Sequence, residues 1–526
     1  MSGAQRAGPG SCEVGARIGI CAFLLWVLTA GAEPSGNVVE TPQGAFEGTV
    51  EDGGLVFRGI PYGMAPTGHR RWLPPQAAPR HEGVRQALDF GPACPQSRVG
   101  SRSDEDCLTL NVWTPAADDS ARPVMVWIHG GGFVAGSGNV PGELFAARGV
   151  VFVSINYRLG PLGFFAHPAL ESPAANFGLL DMVLALEWVR DNISAFGGDP
   201  GRVTVFGVSA GGMAVSMLLA NEAARGLFHG AIAQSGYGTW ALPRTANAPV
   251  PAPLGMDLNP VDSAESLARE LIERVAPDAE MADELRGLDA LELMKAVEGF
   301  YLPLVDGVTL REEPGILFLA GKQHDVPVMT GGNSFEGIIM PVSGISVEAY
   351  ERIWGVDYPA ARALYQDDFD KSPGIGVKRL FGDNRYLLAA RTLALGMARM
   401  NSPAWLYYLD LPVAGPPNDS PGAPHGYDRV LLFTRADMPD TGQQALAERL
   451  AGYWVDFARS GNPNDGTRLH WPEYREEDGD WLVFGIEDSV RRGVSKERLD
   501  FIEARYRQRV QRAGYADPGG KTSRLP

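Results

Sequence analysis

The chain has 526 residues, of which 45% are hydrophobic, 21% charged and 9% aromatic. These proportions exclude a disordered, collagen-like or coiled-coil protein. The formal net charge of −17 opposes binding to nucleic-acid phosphates or to anionic lipid.

Residues 1–17 carry Arg6 and Arg17 against one acid, Glu13, and an apolar run follows from Ile18 to Ala32. At 15 residues the run falls short of the roughly 20 needed to cross a bilayer as a helix. It closes on Ala30-Gly31-Ala32, the small-x-small pattern of a signal-peptidase site. The expectation is an export signal over 1–32, the alternative an uncleaved anchor. Cleavage removes two positive charges and one negative, leaving residues 33–526 at −18 and without stable membrane insertion. Of four cysteines, Cys12 and Cys21 lie in the signal, leaving Cys94 and Cys107. One even pair in an exported protein reads as a disulfide. The absence of CxxC and HExxH spacings implies no metal, and no cofactor is implied either.

Further along, Pro123–His129, Val150–Leu159 and Arg202–Val208 each read as a strand buried on both faces. Gly230–Ser235, Val326–Thr330 and Ala404–Leu411 repeat the pattern. Between the second and third runs lies a helix over Phe177–Phe196, with Leu180, Val183, Leu184 and Trp188 on one stripe. Strand and helix in alternation predict an α/β fold: a mostly parallel central sheet with helices on both faces. Residues 238–325 and 343–400 break the rhythm. They are expected as helical cap excursions over one end of the sheet, within a single large domain.

Gly207-Val-Ser209-Ala-Gly211 matches GxSxG. Alone the pattern is weak, but here it follows a β-rich run and opens a helix, the strand–turn–helix setting of a nucleophile elbow. The alternative is a helix N-cap serine in a glycine-rich turn. His129-Gly-Gly-Gly132 follows another buried strand. In hydrolases of this architecture such a loop and the amide after the nucleophile supply oxyanion donors. The donors assigned are Gly131, Gly132 and Ala210. Chain order then asks for an acid followed by a histidine. His425, on the loop Gly422–Gly426 after a strand, is favoured over His470, which sits in the packed-looking run RLHWPEY. Glu336 follows the run Val326–Thr330, while its competitor Asp306 reads as an ordinary Asp-Gly turn. Phe133, Trp240 and Phe335 flank these segments, with pocket lining and core packing equally open to each.

Taken together, these segments resemble type-B carboxylesterases, the family that includes the cholinesterases. The likeness spans nearly the whole mature chain. Its marks include Phe57-Arg-Gly-Ile-Pro-Tyr62, Glu105–Trp113 (EDCLTLNVW), Asn156–Phe164 (NYRLGPLGF), Asn192–Pro200 (NISAFGGDP) and Trp454–Pro463 (WVDFARSGNP). The resemblance implies an α/β-hydrolase fold and hydrolysis of small esters by a Ser–Glu–His triad, which falls on Ser209, Glu336 and His425. Cys94 and Cys107 match the family's first disulfide. Val208 stands where the family commonly has glutamate, and Met182 where it usually has glutamine. Only twelve residues, none aromatic, separate Cys94 from Cys107. The long cholinesterase loop that supplies a choline-stacking tryptophan is therefore missing, which argues against a choline ester. In this the chain looks more like bacterial general esterases. The competing expectations are a catalytically silent recognition domain of the same fold, and hydrolysis of an amide or carbamate by the same triad.

Overall fold

Each run read above as a strand forms one in the computed structural model. The structure describes residues 36–51, 54–97, 103–170, 172–248, 254–257, 259, 262–412, 420–434, 438 and 441–515. The expected export signal, with Cys12 and Cys21, lies outside them. In chain order the strands are β1 (Val38–Thr41), β2 (Gly44–Glu47), β3 (Thr49–Glu51), β4 (Gly54–Pro61), β5 (Val84–Gln86), β6 (Thr109–Thr114), β7 (Arg122–Ile128), β8 (Val151–Ile155), β9 (Gly198–Val208), β10 (Gly230–Gln234), β11 (Val328–Asn333), β12 (Ala404–Leu409), β13 (Asp480–Phe484) and β14 (Ser489–Arg492). Strands β1, β2 and β5 make a small sheet. The rest form one sheet in the order β14-β13-β12-β11-β10-β9-β7-β8-β6-β4-β3. From β13 through to β8 every neighbour is parallel. Antiparallel pairings add β14 at one edge and β6, β4 and β3 at the other. The edge strands β3 and β14 are short, β3 half-buried apart from exposed Val50 and β14 mostly exposed, so no apolar run announces them.

Side-chain alternation divides each central strand between two cores. Val124, Val126 and Ile128 of β7 join one cluster, together with the helices Phe177–Asn192, Ala210–Ala220 and Leu388–Met397. Met125 and Trp127 join the opposite cluster, with the helix Thr441–Ser460. Helices thus cover both faces, and the strands carry no polar stripe because neither face meets water.

The helix after β8 ends at Asn192 and tightens into a 3₁₀ turn over Ile193–Phe196, stopped by Gly197 at φ +78°. Its deepest stripe is Leu179, Met182, Leu186 and Val189. The expected stripe is only half right: Val183 and Trp188 are buried, Leu180 and Leu184 half-buried. The helix is covered on nearly every side, so periodicity could not distinguish its inner face. Arg158 grips Asp181 of this helix through Nε at 2.8 Å and Nη2 at 2.7 Å, pinning it to the chain that leaves β8.

Cys94 and Cys107 form a disulfide with Cα atoms 5.0 Å apart. Between them Gln96 accepts from the Gly136 amide and donates to the Gly136 carbonyl, both at 2.9 Å. The disulfide loop thereby buttresses the glycine loop after β7. Replacing both cysteines by serine is expected to cost about 3 kcal/mol in urea unfolding, the loop-closure entropy of a bridge of this span. An unchanged midpoint would show that the loop is held by other contacts.

Candidate active site

The turn between β9 and the helix Ala210–Ala220 puts Ser209 at φ +59°, ψ −118°, a backbone state costly for a residue with a Cβ. Its neighbours have no room for one. A Cβ on Gly207 would lie 2.5 Å from the Ile128 carbonyl oxygen, and one on Gly211 would run into the same oxygen. The turn is locked by the Ser209 amide donating to Gln234 at 2.9 Å and the Ser209 carbonyl accepting from Met213 at 2.8 Å. Ser209 is thereby raised at the carboxyl end of the sheet, with 7% of its surface exposed. Ala210 opens the helix, where an amide has no intrahelical acceptor.

The glycine loop continues from β7. Gly131 adopts φ +114° and Gly132 φ +62°, and the Phe300 ring fills the space a Cβ on Gly132 would need. No described residue accepts from the amides of Gly131, Gly132 or Ala210, so all three remain free to donate. His129 anchors the loop by donating from Nδ1 to the Gly130 carbonyl at 2.9 Å. Its ring stacks on Tyr157 at 4.3 Å, and the Tyr157 hydroxyl donates to the His129 carbonyl at 2.8 Å. Burial pulls the His129 pKa down to about 4, so at neutral pH this ring is an uncharged structural group.

Glu336 lies just after β11 and is 2% exposed. Its Oε1 accepts from the Ser235 hydroxyl at 2.6 Å, the Asn333 amide at 2.6 Å and Asn333 Nδ2 at 3.1 Å. The other oxygen, Oε2, faces His425 Nδ1 in a short hydrogen bond. His425 Nε2 is buried and has no hydrogen-bond partner among the described residues. The Tyr386 ring packs on the imidazole at 4.6 Å. A cavity of about 470 Å³ is lined by Ser209, His425, Gly131 and Gly132, with Phe300 and Ile339 among its apolar lining.

The competing residues go elsewhere. Asp306 spends its carboxylate on the amides of Ala175, Val308, Thr309 and Leu310, and His470 is exposed. Of the flanking aromatics, Phe133 is fully buried against Phe164, Phe335 packs under Arg379, and Trp240 lies against Arg385. Sequence reasoning missed Ser235, Asn333, Phe300 and Tyr386. Ser235 carries one weak signal, because it follows β10 as Ser209 follows β9 and also has positive φ, +48°. The excursions supply Phe300 and Tyr386, whose helical patterns say nothing about what they approach.

A family model described as the carboxylesterase family matches residues 35–352 and 358–502. This chain belongs to the carboxylesterase family. It is a carboxylic ester hydrolase. Its relatives include the fumonisin B1 esterase of Sphingopyxis macrogoltabida, 35% identical over 499 residues covering 87% of this chain and 88% of that protein. The para-nitrobenzyl esterase of Bacillus subtilis (strain 168) is 33% identical over 489 residues, covering 88% and 97%. Among solved structures, the Geobacillus stearothermophilus carboxylesterase superposes with a TM-score of 0.76 at 30% identity, covering 88% of this chain and 99% of its own. The α/β-hydrolase architecture of these neighbours is the one described above. In this carboxylesterase Val208 lines the cavity beside Ser209, so the wall next to the serine is apolar there. Met182 is fully buried in the core, a packing position.

The depressed pKa of His129 fixes a sign for acid stability. Its folded pKa of about 4 lies below the ordinary value of about 6.5, so the unfolded chain binds the proton first as pH falls. Stability from this group is present above about pH 6.5 and lost towards pH 4, on the order of 2 kcal/mol between pH 7 and pH 5. Urea titrations at the two pH values should show a smaller acid loss for His129→Asn than for the native chain. Equal losses would assign the acid sensitivity to other groups.

Proposed function

We propose that this carboxylesterase is an exported serine esterase working through an acyl-enzyme, with Ser209 as nucleophile, His425 as general base and acid, and Glu336 as the residue that orients and charges-balances the imidazole. One observation carries the reading: the Glu336–His425 hydrogen bond leaves a single free ring nitrogen, Nε2, in the cavity that Ser209 also lines. The Glu336 carboxylate fixes the tautomer with the proton on Nδ1. Nε2 is then the lone-pair nitrogen. It takes the Ser209 hydroxyl proton as Oγ bonds to the ester carbonyl carbon, and it returns that proton to the departing alkoxide. Water repeats the sequence on the acyl-enzyme and frees the acid. At each tetrahedral stage the oxyanion faces the amides of Gly131, Gly132 and Ala210, which are donors with no competing acceptor. Each such donor is worth about 3 kcal/mol in the transition state.

The imidazolium formed in each step is stabilised by a carboxylate already held by three donors. Glu336 therefore need not be reoriented when charge appears, the condition for electrostatic preorganisation. Export through residues 1–32 is part of the same proposal. It is supported by the disulfide, whose oxidised state fits an extracellular or periplasmic compartment.

Ser209→Ala is expected to lower turnover of a 4-nitrophenyl ester by about a million-fold. Residual activity within tenfold of the native enzyme would remove Ser209 as nucleophile. Glu336→Gln, which keeps the volume but loses the charge, should lower kcat by about ten-thousand-fold, as loss of the orienting carboxylate does in other triads. Intact mass after treatment with a fluorophosphonate should show one adduct mapping to Ser209, on a chain beginning at Glu33. No adduct on folded protein would favour the recognition-domain alternative.

A further inference from the structure

Six arginines lie fully inside the described structure: Arg71, Arg158, Arg244, Arg385, Arg505 and Arg509. Five of them meet a carboxylate, namely Glu105, Asp181, Glu312, Asp357 and Glu313 respectively. Arg385 alone has none at ion-pair distance among the described residues. Its guanidinium is instead surrounded by aromatic rings, with Trp240 at 4.3 Å, Tyr237 at 4.4 Å and Phe300 at 5.7 Å. Cation–π contacts compensate part of the desolvation, but they use the ring faces and leave the in-plane donors unanswered. Among the described residues, Arg385 Nε and Nη2 and the hydroxyls of Tyr237 and Tyr386 are buried without a hydrogen-bond partner, although the guanidinium lies near enough to both phenols to oppose part of the rise in their pKa. An unmatched buried guanidinium is among the costliest features a core can carry.

The location of this group links it to catalysis. Arg385 and Tyr386 sit in a π-helical turn, Asp383–Leu387, wedged between the helices Pro373–Gly382 and Leu388–Met397. Such turns are rare and concentrate at functional sites. Tyr386 packs on His425, and Phe300 lies against Gly132 and lines the catalytic cavity. The cation is therefore one ring layer behind the reacting atoms. Among the described residues no aspartate or glutamate lines the cavity in front of it, where Arg429 is the charged residue, and Glu336 lies behind His425.

We propose that Arg385, with the Tyr237 and Tyr386 hydroxyls, forms a carboxylate subsite, so that the esters this enzyme prefers carry a free carboxylate. This rests on the serine-esterase reading above and names the substrate class of that site. A carboxylate supplies the acceptors that Nε and Nη2 lack, in the forked geometry arginine offers. It also accepts from the phenols, which remain donors because burial pushes the Tyr237 pKa up to about 12 and raises that of Tyr386. The ester is otherwise ordinary, and the carboxylate takes no part in bond making or breaking.

Two substrate pairs distinguish the side on which the carboxylate enters. Monomethyl glutarate against dimethyl glutarate carries it in the acyl part, and 3-acetoxypropanoate against 3-acetoxypropanamide in the alcohol part. For at least one pair the charged member should have a kcat/KM about tenfold or more above its neutral partner, with the difference mainly in KM. Arg385→Met keeps the bulk and should abolish that preference, read as the ratio of kcat/KM between the charged and neutral members of the pair, since the charge-assisted bond is lost. Neutral members preferred in both pairs, or equal losses for charged and neutral esters in Arg385→Met, would overturn the proposal and make Arg385 a packing residue. If Arg385→Met does not fold, the native preference, together with competitive inhibition by glutarate but not glutaramide, decides the matter. Calorimetric binding of the two half-esters to Ser209→Ala separates the two readings. Binding of either without turnover in the native enzyme would count against the catalytic reading and for the subsite. Hydrolysis of neutral esters with neither half-ester bound would count against the subsite alone.

Discussion

Three backbone segments approach one another at the carboxyl end of the sheet until only hydrogen atoms fit between them, and the rest of the site depends on that approach. The Ile128 carbonyl ends β7, and Gly207 and Gly211 flank Ser209 on the next strand and helix. Gly130 closes against the Val208 carbonyl in the same way, its own Cβ direction 2.6 Å from that oxygen. Because these contacts are backbone to backbone, no rotamer change can relieve a larger residue. The glycine-loop amides and the Ser209 side chain are consequently fixed relative to each other by the parallel pairing of β7 with β9, not by flexible contacts.

A second constraint acts on charge. The carboxylate of Glu336 is buried, and its burial is tolerated because Ser235, Asn333 and His425 satisfy it. The same end of the sheet holds a further buried acid, Asp428, which accepts from Tyr407 at 2.6 Å and Gln234 at 2.9 Å. Burial raises its pKa, so it favours the protonated form more than a surface aspartate does. Two carboxylates in one neighbourhood are thus given different tasks by their surroundings. Glu336 has donors on one oxygen and an imidazole on the other, whereas Asp428 ties β12 to β10 and the helix Tyr427–Phe433. Arg385 is the inverse case, a buried cation whose Nε and Nη2 find no acceptor among the described residues.

Much of this architecture was legible from the chain. The strands β7 to β12 are apolar runs without alternation, the pattern of a sheet covered on both faces, and GxSxG stands at a strand–helix junction where its glycines have a steric reason. Glu336 and His425 each follow a buried strand, so chain order and loop position singled them out over Asp306 and His470. The failures have physical causes too. Helix Phe177–Asn192 is surrounded, which blurred its inner stripe, and the edge strands β3 and β14 are too short to read.

The sequence by itself determined the parallel α/β framework, the strained serine turn and the order of acid and histidine, because each is a local matter of periodicity, glycine sterics or neighbouring residues. Tertiary structure alone decided the hydrogen-bond environment of Glu336, which draws on β10 and β11 together. It also decided the shape and charge of the cavity walls. Phe300, Tyr386 and Arg385 come from excursions whose helical patterns record only that they bury one face. What that face is buried against, and whether an arginine within it finds a counter-charge, depends on contacts between residues distant in the chain, such as Arg385 with Trp240 and Phe300 with Gly132.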